Sequence, residues 1–110
     1  MIIKNKSKKT VLNKHASYSY SLLAKSVGLI GQKKAKAIVL TTRFGIHTFG
    51  LRFPIDVIIL NNKNEVVVLK KALHPNRIFM WNPKYKQVIE LPNKAITLSK
   101  TTINDIITII

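Results

Sequence analysis

The sequence predicts a mainly β fold, a small single-domain β-sandwich or barrel of short strands with one N-terminal amphipathic helix. Three observations support this prediction. The chain has 110 residues, the size of one domain. Short runs rich in β-branched residues recur along it, separated by Asn, Pro and Gly turn signals. Apolar residues at three- and four-residue spacing, typical of a helix, are concentrated in residues 17–30.

The N-terminal region has five lysines within its first 14 residues. Residues 1–14 are therefore predicted to form a basic arm or an edge strand whose exposed side is lysine, with partial strand at Val11-Leu12. Residues 15–110 are predicted to form a single compact β-rich domain. The helix over 17–30 is expected to end near Gly28 or Gly31, in the left-handed conformation that glycine tolerates.

The remaining strands follow in order, and residues 53–60 form the central one. Pro54 donates no backbone hydrogen bond, which indicates a strand start, an edge or a bulge there. Residues 94–103 fit either a short helical turn or a strand fragment, and Asn104-Asp105 makes a turn. The asparagine-rich residues 61–64 are predicted to form a hairpin loop. The other predicted strands are residues 37–42, 44–48, 66–69, 77–81, 87–91 and 106–110.

Charge is the most extreme feature of the composition. Nineteen basic residues against four acidic ones give a formal net charge of +15. This balance favours a polyanionic partner such as nucleic acid, anionic lipid or an acidic protein. The alternative is compositional drift, because 16 of the 19 cations are lysine and the chain is rich in Lys, Ile and Asn. Lysine lacks the bidentate fork that arginine uses in specific recognition.

Several function classes are excluded or disfavoured. The chain has no cysteine, which excludes disulfides, thiolate zinc sites and cysteine nucleophiles. No apolar stretch approaches the 18 or so residues of a transmembrane helix, and Lys25 interrupts the apolar run that superficially resembles a signal peptide. We expect an unprocessed, cytoplasmic protein. The oligomeric state is not indicated by the sequence.

The stretch from His47 to Leu60 crowds histidine, glycine, arginine, proline and aspartate ahead of an apolar strand. Its residues 47–57 read His-Thr-Phe-Gly-Leu-Arg-Phe-Pro-Ile-Asp-Val. This run resembles one branch of the family known as domain of unknown function 192, with ten of eleven residues shared and Leu51 replacing Met. Gly28-Leu29-Ile30, the loop at 61–64, the run 88–92 and the Asn104-Asp105 turn extend the resemblance over roughly residues 20–110.

The resemblance implies a small, mainly β domain with one helix and a function that is not established for the family. Two departures concern turns. The family's Gly-Asp near the C-terminus is Asn104-Asp105 here, and its Ala-Gly after proline is Asn93-Lys94.

Four residues of the central stretch are the first candidate ligand-binding set: His47, Thr48, Arg52 and Asp56. A histidine can shuttle protons, an aspartate can orient it or act as a base, and an arginine can clamp a carboxylate or phosphate. On a regular strand Arg52 and Asp56 share a face but lie about 13 Å apart. The alternative is structural, with Asp56 accepting backbone hydrogen bonds that fix a neighbouring loop.

A second candidate set interleaves aromatic and basic residues. Aromatic rings stack on bases while cations hold phosphates, so this pattern suits a polyanion. The alternative is core packing, with Phe79 and Trp81 as one inward-facing row and Ile78 and Met80 on the other side. The polyanion-binding candidates are Arg77, Trp81, Lys84, Tyr85 and Lys86.

Motifs of established enzyme classes are missing. There is no P-loop, dinucleotide fingerprint or nucleophile elbow, the three histidines lack metal-site spacing, and no carboxylate pair suits hydrolysis. No metal and no cofactor is expected. We predict a non-enzymatic domain that binds an anionic ligand or polyanion, nucleic acid being a possible non-specific partner. The open alternatives are a small enzyme with a His/Arg/Asp cleft and a module that pairs through a strand edge.

Overall fold

A computed structural model describes residues 1–19 and 36–110 of the chain. Within these residues strands predominate, and the mainly β prediction is confirmed. The elements are β1 (Ile3–Asn5), β2 (Thr10–Asn13), β3 (Ser17–Ser19), β4 (Ile38–Thr41), β5 (Ile46–His47), β6 (Ile55–Leu60), β7 (Val66–Leu73), β8 (Ile78–Phe79), β9 (Gln87–Pro92), α1 (Ala95–Leu98) and β10 (Ile107–Ile109).

The described strands form three sheets. The largest has five strands in the order β3-β4-β9-β6-β7, and β3 pairs with β4 in parallel while the other pairs are antiparallel. The second sheet has the order β10-β1-β2, and the third is the two-stranded ribbon β5-β8. None of the three closes on itself, so the barrel that the sequence left open is not formed by the described residues.

The central strand β6 explains where the core lies. All six of its residues are buried, because β7 and β9 flank it and apolar residues cover both of its faces. Ile55, Val57 and Ile59 belong to one apolar cluster, whereas Ile58 and Leu60 belong to the other. Successive residues of β6 thus pack into different clusters, as alternation along a strand requires. Pro54 precedes the first strand residue, as a strand start requires.

The N-terminal segment is part of the core. Ile3 and Leu12 lie in the same apolar cluster as Ile107 of β10 and Ile58 of the five-stranded sheet, so the two larger sheets share one interior. The strand expected at Val11-Leu12 is present in β2, which is an edge of its sheet.

The helix predicted over residues 17–30 is wrong for its first three residues. Ser17–Ser19 form strand β3, since the backbone of this segment pairs with β4 and tertiary pairing overrides the local apolar spacing. Residues 20–30 of that prediction lie outside the described residues. A four-residue helix, α1, occurs in the segment 94–103, where the sequence allowed a helical turn. No described helix is long and apolar enough to cross a membrane.

A buried polar network joins the two ends of the chain. The Asn5 amide donates to Asp105 Oδ2 at 2.9 Å and to Thr101 Oγ1 at 3.0 Å, and the Lys8 ammonium lies 2.8 Å from Asp105. Burial raises the pKa of Asp105, but hydrogen bonds from Asn5, Lys8 and Thr102 and the charge of Lys8 lower it to about 2. Asp105 therefore carries its charge at neutral pH and fixes the turn before β10.

Candidate functional site

Asp56 is fully buried and both of its carboxylate oxygens are engaged. Oδ1 accepts a hydrogen bond from the Ala72 backbone N–H and Oδ2 one from the Ile96 backbone N–H, each at 2.9 Å. Ala72 has a positive φ of 52°, so the carboxylate stabilises an irregular point of β7. Asp56 thus accepts backbone hydrogen bonds, as the structural alternative expected, but it links β7 and α1 to β6 and does not fix a loop.

Thr48 is also buried, and its hydroxyl organises a loop. Oγ1 donates to the His74 carbonyl at 2.7 Å and accepts from the Arg77 N–H at 2.9 Å. The Thr48 backbone bonds to Arg77 and Asn76 as well. Thr48 thus positions the segment that leads into β8, and its hydroxyl is not directed to solvent.

His47 and Arg52 are the accessible members of the first candidate set. The His47 ring stacks on Phe49 with centroids 5.2 Å apart and planes inclined by 27°, and its Nδ1 accepts from the Phe49 N–H at 3.3 Å. Arg52 is exposed. Asp56, by contrast, is inside the core, so the structure does not assemble these residues into one His/Arg/Asp cleft.

The ribbon β5-β8 carries several large apolar side chains that are exposed to solvent. Its inner face places Ile46 and Phe79 against the core cluster beside β6. Its outer face pairs His47 with Ile78. The exposed fractions of the large apolar side chains on this side are 77% for Phe44, 71% for Met80, 65% for Ile78 and 48% for Phe49. The ribbon is therefore apolar on both faces, although only one faces the core.

A shallow cavity of about 260 Å³ lies on this outer face. It is lined by Phe44, Gly45, Ile46, His47, Phe49, Ile78 and Met80. Glycine is required at position 45, where φ is +152° and a Cβ would come within 2.7 Å of the Phe79 carbonyl oxygen and 3.1 Å of Met80 Cγ. The missing side chain lets Met80 lie close against β5. We call this cavity and its lining residues the ribbon surface.

Each of the three arginines of the chain lies within three residues of a residue that lines the ribbon surface, and we call these three arginines its arginine border. Arg43 precedes Phe44, Arg77 precedes Ile78, and Arg52 follows the Thr48–Leu51 turn. All three are exposed. The four carboxylates of the chain lie elsewhere: Asp56, Glu90 and Asp105 are buried, and Glu65 accepts a hydrogen bond from the Asn61 amide. The ribbon surface is thus apolar, and the chain segments that form it also carry the three arginines, of which Arg43 donates from its guanidinium to the Pro83 carbonyl at 3.2 Å.

The second candidate set divides between core and surface. Trp81 and Tyr85 pack against the core cluster with Phe79, and the Trp81 indole donates to the Tyr85 carbonyl at 2.8 Å. Ile78 and Met80 face outward, so the alternative that assigned Phe79 and Trp81 to the core is confirmed. Arg77 and Lys84 are exposed, and Lys86 is half-buried.

Lys84 and Tyr85 line a separate polar cavity of about 220 Å³. The Lys84 ammonium lies 5.8 Å from the centroid of the Tyr85 ring, a cation–π arrangement. Glu65 also lines this cavity, along with Asn61, Asn62 and Lys63. The carboxylate makes it a weaker anion site than the ribbon surface.

Two kinds of residue escaped the sequence analysis. Phe44 and Phe49 were not among the candidates, because alternation along a strand does not tell which face of an isolated ribbon the core covers. Glu90 is buried in β9 opposite Val57 and Ile38. Both of these residues belong to the core cluster against which the ribbon packs. A lone carboxylate within the apolar run 88–91 was the available signal for it. Among the described residues, no group of His, Asp and Glu side chains forms a metal-binding cluster.

Comparisons with known proteins establish the fold. No family model matches the chain, and no curated protein is detectably similar to it in sequence. A protein of unknown function from Novosphingobium aromaticivorans DSM 12444 has a similar structure, with TM-score 0.80, 10% identity and coverage of 98% of this chain and 82% of that one. A proposed transcription regulator from Sinorhizobium meliloti 1021 has TM-score 0.77, 9% identity and coverage of 97% and 89%. At such identities the likeness concerns the fold alone.

Proposed function

We propose that the protein is a non-enzymatic domain that binds an anionic ligand or polyanion. The observation that carries this proposal is the separation of charge. Three of the four carboxylates are buried, whereas every described lysine and arginine except the half-buried Lys86 is exposed. An anion approaching from solvent therefore meets a surface with almost no competing negative charge.

The arginines argue against drift as the whole explanation. Drift toward lysine-rich composition acts along the entire chain, yet the three arginines of this sequence all lie within three residues of a residue that lines the ribbon surface. Arginine offers a planar fork that contacts two phosphate or carboxylate oxygens at once, which lysine does not. Their clustering favours one local anion-binding surface over a diffuse electrostatic background.

The enzyme alternative is weakened by the state of Asp56. A general base needs a free oxygen within reach of a substrate proton, but both Asp56 oxygens accept backbone hydrogen bonds inside the core. The strand-edge alternative predicts self-association when residues 1–14 are deleted. The longest edge strand of the five-stranded sheet, β7, carries the exposed Lys70 and Lys71, which are typical protection against edge pairing.

The test is binding of fluorescent oligonucleotides and of heparin by anisotropy over a salt series from about 50 to 200 mM. We expect both polyanions to bind at the lower salt concentration, with affinity that falls as salt rises. Arg43→Ser, Arg52→Ser and Arg77→Ser combined should weaken binding more than Lys4→Ser, Lys36→Ser and Lys94→Ser combined, which remove the same charge elsewhere. No binding at low salt would contradict the proposal.

We also propose a family and a cellular location for the protein. The ten of eleven residues shared over 47–57 support membership in domain of unknown function 192. The absence of cysteine suits a reducing compartment such as the cytoplasm. The common apolar cluster of the two larger sheets supports a sandwich arrangement.

A further inference from the structure

We propose that the ribbon surface binds the bases of single-stranded nucleic acid, with Phe44 and Phe49 as stacking surfaces and the three arginines as phosphate contacts. This inference rests on the proposed function and adds the class of partner to it. It is carried by three observations: the exposed rings, the arginine border and the small area of the surface.

The first step concerns the rings. Phe44 and Phe49 are large, exposed aromatic side chains that line the cavity. Phe44 precedes β5 in the sequence and Phe49 follows it. Phe49 is held by its stacking with His47 and by its N–H bond to His47 Nδ1. A ring that is already oriented loses little conformational freedom when a base stacks on it.

The second step concerns the backbone that presents these rings. The Gly50 N–H donates to the Asn76 side chain at 3.3 Å, and the Leu51 N–H donates to the Thr48 carbonyl at 3.1 Å. Leu51 is buried in the core cluster beneath the turn. The Thr48 hydroxyl in turn accepts from the Arg77 backbone N–H, so the turn that carries Phe49 and the segment that leads from Arg77 into β8 form one connected unit.

The third step distinguishes nucleic acid from an anionic lipid surface. Lipid headgroups attract lysine and arginine about equally, so a membrane gives no reason to place arginine at one surface of a lysine-rich chain. Arginine can contact two oxygens of a phosphodiester at once, and the bases of the same strand can stack on aromatic rings. Arginine and phenylalanine occur together here at Arg43-Phe44 and, across a short turn, at Phe49 and Arg52.

The fourth step concerns area. The ribbon surface offers four large exposed apolar side chains, Phe44, Phe49, Ile78 and Met80. A stable protein–protein interface involves roughly 20–30 residues on each side. A few bases of a flexible single strand need only a shallow patch, which is the shape of this cavity, and its border is charged to match them.

The experiment compares two probes of equal phosphate number. One is a fluorescent oligothymidylate of about twelve nucleotides, within the site size of a small single-strand-binding domain, and the other is an abasic strand of the same length. Anisotropy titrations are run at one salt concentration. Stacking of one or two bases predicts that the thymidylate binds roughly ten- to a hundredfold more tightly than the abasic strand.

Variants separate the rings from the charge. Phe44→Ala with Phe49→Ala should remove the difference between the two probes while leaving abasic binding within about twofold, because the phosphate contacts are retained. Leu98→Ala is the matched control, since Leu98 is 78% exposed but lies on α1, away from the ribbon. Unchanged urea midpoints for all three changes would exclude unfolding as the cause.

Each outcome has one reading. Equal binding of both probes to the native chain overturns the inference and leaves the proposed polyanion binding intact. Failure of both probes to bind also overturns the inference, and failure of heparin to bind as well overturns the proposed function. A loss with Leu98→Ala as large as with the phenylalanine changes also overturns it. Binding to phosphatidylserine vesicles that depends on Phe44 and Phe49, without a difference between the two strands, would assign the surface to lipid instead.

Discussion

The strand β6 and the ribbon β5-β8 are built from similar apolar residues but use them differently. In β6 every residue is buried, and even Asp56 serves the interior through two backbone hydrogen bonds. In the ribbon, Ile46 and Phe79 are packed against the core, whereas Ile78 and Met80 on the other face are open to solvent. Exposed apolar side chains contribute little to folding, so this contrast separates residues that maintain the fold from residues available to a partner.

The largest effect is expected for Asp56→Ala. The change leaves the N–H groups of Ala72 and Ile96 without acceptors in a buried site, and each such loss costs about 1–3 kcal/mol. We therefore expect the free energy of unfolding, measured by urea titration, to fall by about 2–6 kcal/mol. Asp56→Asn keeps one carbonyl oxygen and should lose less. A loss below about 1 kcal/mol would contradict the structural role of this carboxylate.

Thr48→Val should have the next largest effect. Valine keeps the shape of threonine but leaves the Arg77 N–H without its hydroxyl acceptor and the His74 carbonyl without its donor. We expect a loss of about 1–3 kcal/mol in urea unfolding, together with weaker polyanion binding because Arg77 is no longer held. Thr48→Ser retains the hydroxyl and should be near neutral. Equal stability of the valine variant would show that the loop does not depend on Thr48.

Acid should reveal the network around Asp105. Its folded-state pKa of about 2 lies below the ordinary value of 3.8, so the ionised carboxylate stabilises the fold above pH 3.8 and this stabilisation is lost as the pH falls from 3.8 toward 2. Asp105→Asn should lower stability at pH 7 by roughly 1–2 kcal/mol, allowing for solvent screening of Lys8, and should flatten the acid dependence. Glu65→Gln should retain that dependence. An unchanged slope in the Asp105 variant would contradict this assignment.

The smallest effect on stability is expected on the ribbon surface, and it sharpens the comparison directly. Ile78→Ala should change the free energy of unfolding by less than about 0.5 kcal/mol, because the side chain is mostly exposed. The same substitution at the fully buried Ile59 should cost about 2–5 kcal/mol. Urea titrations of the two variants test this. Similar losses at both positions would mean that the outer face of the ribbon is part of the core.

Much of the five-stranded sheet was predictable from local pattern. The runs 37–42 and 53–60 each contain an observed strand, and the runs 66–69 and 87–91 each coincide with the first part of one, because β-branched residues and turn signals mark a strand without reference to its neighbours. The hairpin loop also follows from local chemistry, with Asn64 at a positive φ of 61°. Pairing partners such as β1 with β10, nearly a full chain length apart, leave no local signal.

The candidate site was only partly predictable, for a related reason. His47 lines the ribbon surface and Arg52 is near it in sequence, whereas Trp81 packs against the core, where its indole donates to the Tyr85 carbonyl. The exposure of Phe44 and Phe49 was not predictable, because the core covers only one face of the ribbon and the packing between sheets decides which face that is. The structural and functional roles of Asp56 were indistinguishable in sequence, since a lone carboxylate in an apolar strand fits both.

The most direct test of the ribbon surface is an amide NMR titration of the native chain with a short oligothymidylate at moderate salt. The account predicts that the perturbed amides cluster in residues 43–52 and 76–81, on the ribbon and its arginine border. Perturbations spread evenly over the lysine-bearing strands, or centred on the polar cavity at 61–65 and 84–85, would contradict it.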